Sequence, residues 1–302
     1  MTARSKLLSV MRVTESSIYH NAQVKRFPDG SASVMAFNRA IIRERGFEAV
    51  EKGSQSLSDG SEGGKVEGHS KEEENLARSR RRARSAVSDI AMATDFKYFV
   101  TLTVSPEKLD RYDSKEVFKH LHDWLDNCVR RHGLAYVLVP ELHKDRAIHF
   151  HALFNDALPV LNSGTISLPG GGKPRRPRSE AQRAAWLASG GHVVYNLPAW
   201  PWGFTTAIEL YGDRQAAVGY VCKYITKSED KIGGRWYYSG GELRRPKVAA
   251  IDLDFEAAAA AGNVFSVEEL GCKGVKIYIK GGEFDEKLAD FCRPAAAVQR
   301  KP

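Results

Sequence analysis

The sequence predicts an α+β domain built around an antiparallel sheet, and three observations predict it. Runs at 98–104, 134–139 and 147–154 are short, apolar and rich in β-branched or aromatic residues, the signature of strands. Helical periodicity marks 114–131 and 213–227. The order strand, helix, strand, strand and later helix departs from the strict alternation that a parallel sheet requires.

Along the chain, residues 1–52 mix short apolar runs with charge and read as a weakly structured N-terminal appendage. Residues 53–72 are dominated by Gly, Ser and charge, bury too little to pack, and read as a flexible linker. A helix follows, with Glu72, Glu73 and Glu74 at its positive end and Arg78, Arg80, Arg81, Arg82 and Arg84 after them. Leu76, Ala83, Val87 and Ile90 give this helix a narrow apolar stripe, so the arginines form either a solvated face or a phosphate-contacting one. The strand at 98–104 ends at Ser105-Pro106. In the next helix Val117, Leu121, Trp124, Leu125 and Cys128 recur at helical spacing, with Ser114 as N-cap and Gly133 as stop. Residues 162–178 turn to Gly, Pro and Arg, including Arg175 and Arg176, and read as a basic loop. Shorter strands are expected at 193–195, 205–210 and 275–279. Residues 73–250 form the main domain and 251–302 a C-terminal extension.

Composition narrows the class. The chain has 302 residues, 45 Lys and Arg against 37 Asp and Glu, and a net charge of +8, which favours polyanionic partners. Its four cysteines are scattered without a Cys-x-x-Cys pair, which argues against a disulfide framework or thiolate zinc site and fits a reducing cytoplasm. No apolar run reaches the roughly 18 residues of a membrane span.

Two motifs carry chemistry. In Ile148-His149-Phe150-His151 the side chains alternate on a strand, so the two imidazoles share one face about 7 Å apart. Upstream stand Glu141 and His143. An antiparallel hairpin centred near Arg146, with Glu141 opposite His151, places Glu141, His143, His149 and His151 on one face, whereas a one-residue slip disperses them. A carboxylate with two or three imidazoles and no thiolate suits Mn²⁺, Mg²⁺ or Zn²⁺. The second motif is Tyr220-Val-Cys-Lys223-Tyr224-Ile-Thr-Lys227. Tyr220 and Tyr224 are helical neighbours, either packed in a core or serving as phenol nucleophiles, with Lys223 and Lys227 beside them to favour the phenolate.

Together these motifs resemble the HUH endonucleases, specifically rolling-circle replication initiators of the filamentous-phage gene II type and the microvirus replication proteins. Phe99-Val-Thr-Leu-Thr-Val-Ser-Pro106, Glu141 with His149-Phe-His151, and Tyr220 through Lys227 carry the resemblance, over roughly residues 75–250. It implies an antiparallel-sheet HUH core with flanking helices and a divalent metal, Mg²⁺ or Mn²⁺, on His149, His151 and Glu141, with His143 as fallback. It makes Tyr224 the nucleophile and Tyr220 the second tyrosine of two-tyrosine members, and it assigns no chemistry to Thr101 or Thr103. The often-seen Gly before the histidine motif is replaced by Arg146 or Ala147.

The implied function is nicking of single-stranded or hairpin origin DNA, leaving a 5′-phosphotyrosine and a 3′-hydroxyl for a host polymerase. No P-loop is present, so a host helicase would unwind. The implied setting is the cytoplasm of a bacterial host, with no membrane partner. An HUH transposase and a non-catalytic origin-binding protein are the alternatives, with a mobilisation relaxase or a small metal-dependent hydrolase behind them.

Overall fold

Every strand pairing among the described residues is antiparallel. The computed structural model describes residues 19–43, 71–210, 214–227, 230–267 and 270–291, so most of the expected linker, 53–70, lies outside the described residues. In chain order the elements are β1 Tyr19–His20, β2 Ala22–Arg26, β3 Ala32–Phe37, β4 Ile42–Arg43, α1 Lys71–Ala93 and β5 Tyr98–Thr103. Next come α2 Ser114–His132, β6 Tyr136–Leu142, β7 Ile148–Phe154, β8 Leu161–Ser167, α3 Glu180–Ala188, β9 His192–Asn196, β10 Thr205–Glu209 and α4 Arg214–Lys227. The remainder are β11 Tyr238–Gly240, β12 Lys247–Ile251, α5 Phe255–Ala261, β13 Asn263–Val267, β14 Cys272–Ile279 and α6 Phe284–Phe291. The class is α+β, as expected.

The chain divides into two compact units, residues 65–246 and residues 1–64 with 247–302. The first holds a seven-stranded sheet ordered β11-β6-β7-β5-β10-β9-β8. Phe150, Ala152 and Phe154 of β7 point to one face and pack with Val117, Phe118, Leu121 and Leu125 of α2. α2 begins at Asp113, whose carboxylate accepts from the Lys115 and Glu116 amides at 2.8 and 3.3 Å. The cap is therefore Asp113 and not Ser114, because a carboxylate beside the helix's positive end gains charge as well as a hydrogen bond. The helix stops at Gly133, where a left-handed φ of 72° suits glycine. α1 and α4 pack together, and α4 also touches β6 and β7.

Residues 162–178 are not all loop. Their first part is β8, paired with β9 through a bulge between Asn162 and Thr165, and the backbones of Ile166 and Arg175 form an isolated bridge. The Gly and Pro content predicted turn everywhere, but the Thr165–Ile166 segment has β-branched side chains and a partner strand.

The second unit gathers strands from both ends of the sequence. A five-stranded sheet, ordered β12-β2-β3-β14-β13, joins what reads in sequence as an appendage and an extension. Neither end buries enough alone. Together Ala22, Val24, Val34, Ala36, Val275 and Ile277 make a core with Phe255, Phe284 and Phe291 of α5 and α6.

The β6–β7 hairpin fixes the site. Glu141 pairs with His149, and Val139 with His151. This register is two residues from the expected one, and an even shift keeps every side chain on its face. Its cause is the turn. The Arg146 amide donates to the His143 carbonyl at 2.8 Å, the His143 amide to the Ala147 carbonyl at 2.9 Å, and Arg146 adopts φ 67°. A three-residue connection ending in a left-handed residue recentres the hairpin on Asp145. Arg146 thus holds a conformation that costs a side-chain-bearing residue about 1–2 kcal/mol and glycine almost nothing. Arg146→Gly is expected to stabilise the folded state by about 0.5–1 kcal/mol after the added unfolded-chain entropy is subtracted, read by urea unfolding. A lowered midpoint would mean that the Arg146 side chain itself supports the turn.

Candidate active site and metal centre

Three donor atoms converge on the helix α4 side of the sheet. Glu141, His149 and His151 each offer one ligand atom, all within 4.8 Å of one another. His149 Nε2 and His151 Nε2 lie 3.0 and 2.8 Å from the same carboxylate oxygen, Oε2 of Glu141. The other oxygen, Oε1, accepts from Lys227 Nζ at 3.1 Å. Burial alone would raise the Glu141 carboxyl. Hydrogen bonds from His151, His149 and Lys227 outweigh it and hold the group at about 2. His151 is shifted down, first by burial and then by neighbouring His149 and Lys227, against the pull of Glu141.

This set fits a divalent ion. Two imidazole nitrogens and an ionised carboxylate oxygen aim at one small volume, and neutral imidazoles with a carboxylate bind Mg²⁺, Mn²⁺ or Zn²⁺. His143 does not join the group: its side chain is exposed, its ring lies 5.1 Å from that of His149, and its Nδ1 is 3.8 Å from Asp145. The fallback position belongs to the turn.

Helix α4 presents Tyr220, Tyr224 and Lys227 at helical spacing toward this group, while Val218, Val221, Cys222 and Ile225 are buried. Tyr224 stacks on His151 with ring centroids 3.6 Å apart and planes 15° from parallel. Tyr220 stands edge-on to Tyr224 at 5.3 Å. Tyr224 is 6% exposed and Tyr220 49%. Burial, the hydrogen bond with Tyr220 and the charges of Tyr220 and Glu141 push the Tyr224 hydroxyl above its ordinary range. The two lysines beside the tyrosines occupy different surroundings. Lys227 bonds to Glu141 and lies 4.9 Å over the Tyr224 ring, whereas Lys223 is on an exposed part of the helix.

Residues outside the motifs complete the site. Phe99 stacks on His151 at 5.8 Å and meets Tyr220 edge-on at 5.1 Å. Thr101 pairs with His151 across β5 and β7, its hydroxyl 3.3 Å from Nδ1. A hydroxyl can donate or accept, so Thr101 partners Nδ1 in either tautomer and steadies the ring. Alternation along 98–103 puts Phe99 and Thr101 on one face, but only the β5–β7 register says which face.

The row Glu141–His149–Thr103 continues to Phe204, whose carbonyl accepts from the Thr103 amide at 2.9 Å. Phe204 is 74% exposed. At about 4.8 Å per strand its backbone stands roughly 10 Å from that of His149. Gly203 lies so close to Thr103 that a side chain there would strike the Thr103 carbonyl.

The expected DNA-contact arginines stand on α1, which packs against α4 with Cys222 Sγ donating to the Arg84 carbonyl at 3.7 Å, and beside β8. On α1, Arg78, Arg81, Arg82 and Arg84 are exposed and Arg80 half-buried, while Arg175 and Arg176 are exposed beside β8. Trp236 Nε1 donates to Ser79 Oγ at 3.1 Å, tying α1 down.

The strand, histidine hairpin and tyrosine helix lie within one segment that resembles a known family. Residues 97–229 match the family model of the replication-associated protein ORF2/gene II protein. The match spans β5 through α4, hence every residue of the metal and tyrosine cluster, and is consistent with a rolling-circle replication initiator. No match to the chain was found among curated proteins or among solved structures. No helix among the described residues is long and apolar enough to cross a membrane.

Thr101→Val is expected to weaken Mn²⁺ binding about tenfold by titration calorimetry while the fold survives, because His151 loses its second partner. Unchanged affinity would leave Thr101 a packing residue only.

Proposed function

We propose that this protein is a replication initiator that cuts single-stranded or extruded-hairpin origin DNA by tyrosine attack. The observation that carries the reading is Tyr224 stacked on His151, which brings a phenol to the edge of a two-histidine, one-carboxylate group. A bound Mg²⁺ or Mn²⁺ would supply positive charge to the non-bridging oxygens of the scissile phosphate. Tyr224 Oη attacks phosphorus in line, the bond to the 3′ oxygen breaks, and that oxygen leaves as a hydroxyl after taking a proton from water. The phenolic proton passes to the hydrogen-bonded, half-exposed Tyr220 and on to solvent.

The DNA remains joined to Tyr224 through its 5′ phosphate, and a host polymerase extends the 3′-hydroxyl. Tyr220, beside Tyr224 on the same helix face, makes the second cleavage in this reading. Lys227, held by Glu141, adds a fixed positive charge next to the phosphate. Arg78, Arg81, Arg82 and Arg84, with Arg175 and Arg176, carry the phosphate-binding charge, and the setting is a bacterial cytoplasm. Phe204, exposed on the same sheet face, provides a surface for a base beside the cut.

Covalent capture with labelled single-stranded DNA and Mn²⁺ tests this reading. A denaturant-resistant adduct is expected from the wild type, none in EDTA, and none from Tyr224→Phe. An adduct that persists in Tyr224→Phe and disappears in Tyr220→Phe would exchange the two tyrosines, and DNA retention without any adduct would favour an origin-binding protein. Phe204→Ala should raise the DNA concentration for half-maximal adduct by about tenfold, with Phe204→Trp restoring it. Equal values for the three proteins would remove Phe204 from the DNA path.

A further inference from the structure

We infer that the open face of the five-stranded sheet, in the unit formed by residues 1–64 and 247–302, is a second binding surface for single-stranded DNA. This unit lies outside the matched segment 97–229.

The argument begins with charge. The five strands, β2, β3, β12, β13 and β14, contain Lys25, Arg26, Lys247, Lys273 and Lys276 and no aspartate or glutamate. Asp254, Glu256, Glu283, Glu286 and Asp290 lie on or beside α5 and α6, and Asp29 and Asp252 lie in the connections that follow β2 and β12. Both helices pack on the apolar face with Val24, Val34, Val275 and Ile277. Of these cations Lys25 and Lys276 project from the face away from the helices, whereas Arg26 lies over the Phe284 ring of α6 at 4.0 Å and Lys247 and Lys273 share its side of the sheet. The open face thus carries two cations and no carboxylate, which complements a polyanion.

The opposite face is aromatic as well as basic. Alternation and register place Lys25, Phe37, Lys276 and Tyr278 there, and Phe265 follows Gly274 and Phe37 in one cross-strand row. Gly274 makes this row possible, since a Cβ at that position would meet the Phe265 ring at 2.5 Å. With that space empty, Phe265 lies over the sheet edge-on to Phe37, centroids 6.4 Å apart and planes at 84°, and stays 38% exposed. Tyr278 and Lys276 lie further along the same strand, and Lys25 is opposite Ser33, the neighbour of Tyr278.

An exposed Phe265 ring with half-buried Phe37 and Tyr278 beside it, set among lysines on a sheet without carboxylates, suits single strands, whose bases stack on aromatic faces while cations follow the phosphates. A duplex hides its base faces and would use only the lysines. The inference rests on single-stranded DNA as the substrate class proposed above, but it requires neither the metal nor either tyrosine.

The test measures binding of a labelled oligodeoxythymidine to the full chain in EDTA, where no cleavage occurs. Fluorescence anisotropy is followed at several salt concentrations, with a duplex of equal length alongside. Phe37→Ala with Phe265→Ala is expected to weaken single-strand binding about tenfold or more and to leave duplex binding nearly unchanged. Lys25→Gln with Lys276→Gln should flatten the dependence of log affinity on log salt by about 1. Should the aromatic pair lower the melting temperature, the surface lysine pair still decides the matter. Wild-type affinity and salt slope in both double variants would overturn the inference. So would aromatic variants without effect on a surface that holds duplex equally well. Failure of covalent capture with success here would refute the nicking chemistry and leave this surface standing.

Discussion

The site depends on one constraint, the parity of the β6–β7 hairpin. Glu141 and the two histidines come from adjacent strands, and their side chains share a face only while the register shifts by an even number of residues. An odd slip would put Glu141 into the apolar layer that α2 covers, where an ionised carboxylate has no partner. It would also expose part of the strand's apolar set. The same burial that stabilises the sheet therefore protects the ligand geometry. The turn 143–147 is where the register is set, and a strained Arg146 is tolerated there because the pairing on both sides over-determines it.

Charge neutrality within the cluster follows from that placement. One carboxylate oxygen faces two imidazoles and the other faces an ammonium from α4, so strand and helix are joined by an ionic contact as well as by apolar packing. With Tyr224 stacked on His151, the helix carrying the tyrosines cannot move far without disturbing the ligands. Lys227 and Tyr224 fasten the helix at the position where the phenol matters.

Much of this was legible in the residues. The His-x-His alternation, the Tyr-x-x-x-Tyr spacing and the upstream glutamate are short-range patterns, and each follows from the geometry of one element. The register was misplaced by two because turn type depends on a backbone conformation at Arg146 that this residue's chemistry disfavours. Phe204 carried no local signal, and the strand block 99–106 marked Phe99 and Thr101 as part of a strand without showing what they face. Their roles arise from β5 lying beside β7 and β10 beside β5, pairings that join distant parts of the chain. The sheet uniting both ends was hidden for the same reason, since β3 finds its partner β14 more than two hundred residues away and the strand expected at 275–279 does not reveal what it pairs with.

That wide separation bears on how the molecule is made. The unit of residues 65–246 is an insertion within the sheet of the other, between β4 and β12. As synthesis proceeds, β2 and β3 emerge first but lack both flanking strands until β12 and β14 follow. The inserted unit has all its strands in hand before then and can fold as its own cooperative body while the ribosome is still working. The nascent β2–β3 hairpin meanwhile holds two open edges, and Lys25 with Arg26 at the end of β2 discourages pairing with a neighbouring nascent chain. The enclosing unit is thus the last to be completed, and its closure reports that the whole described chain has been delivered.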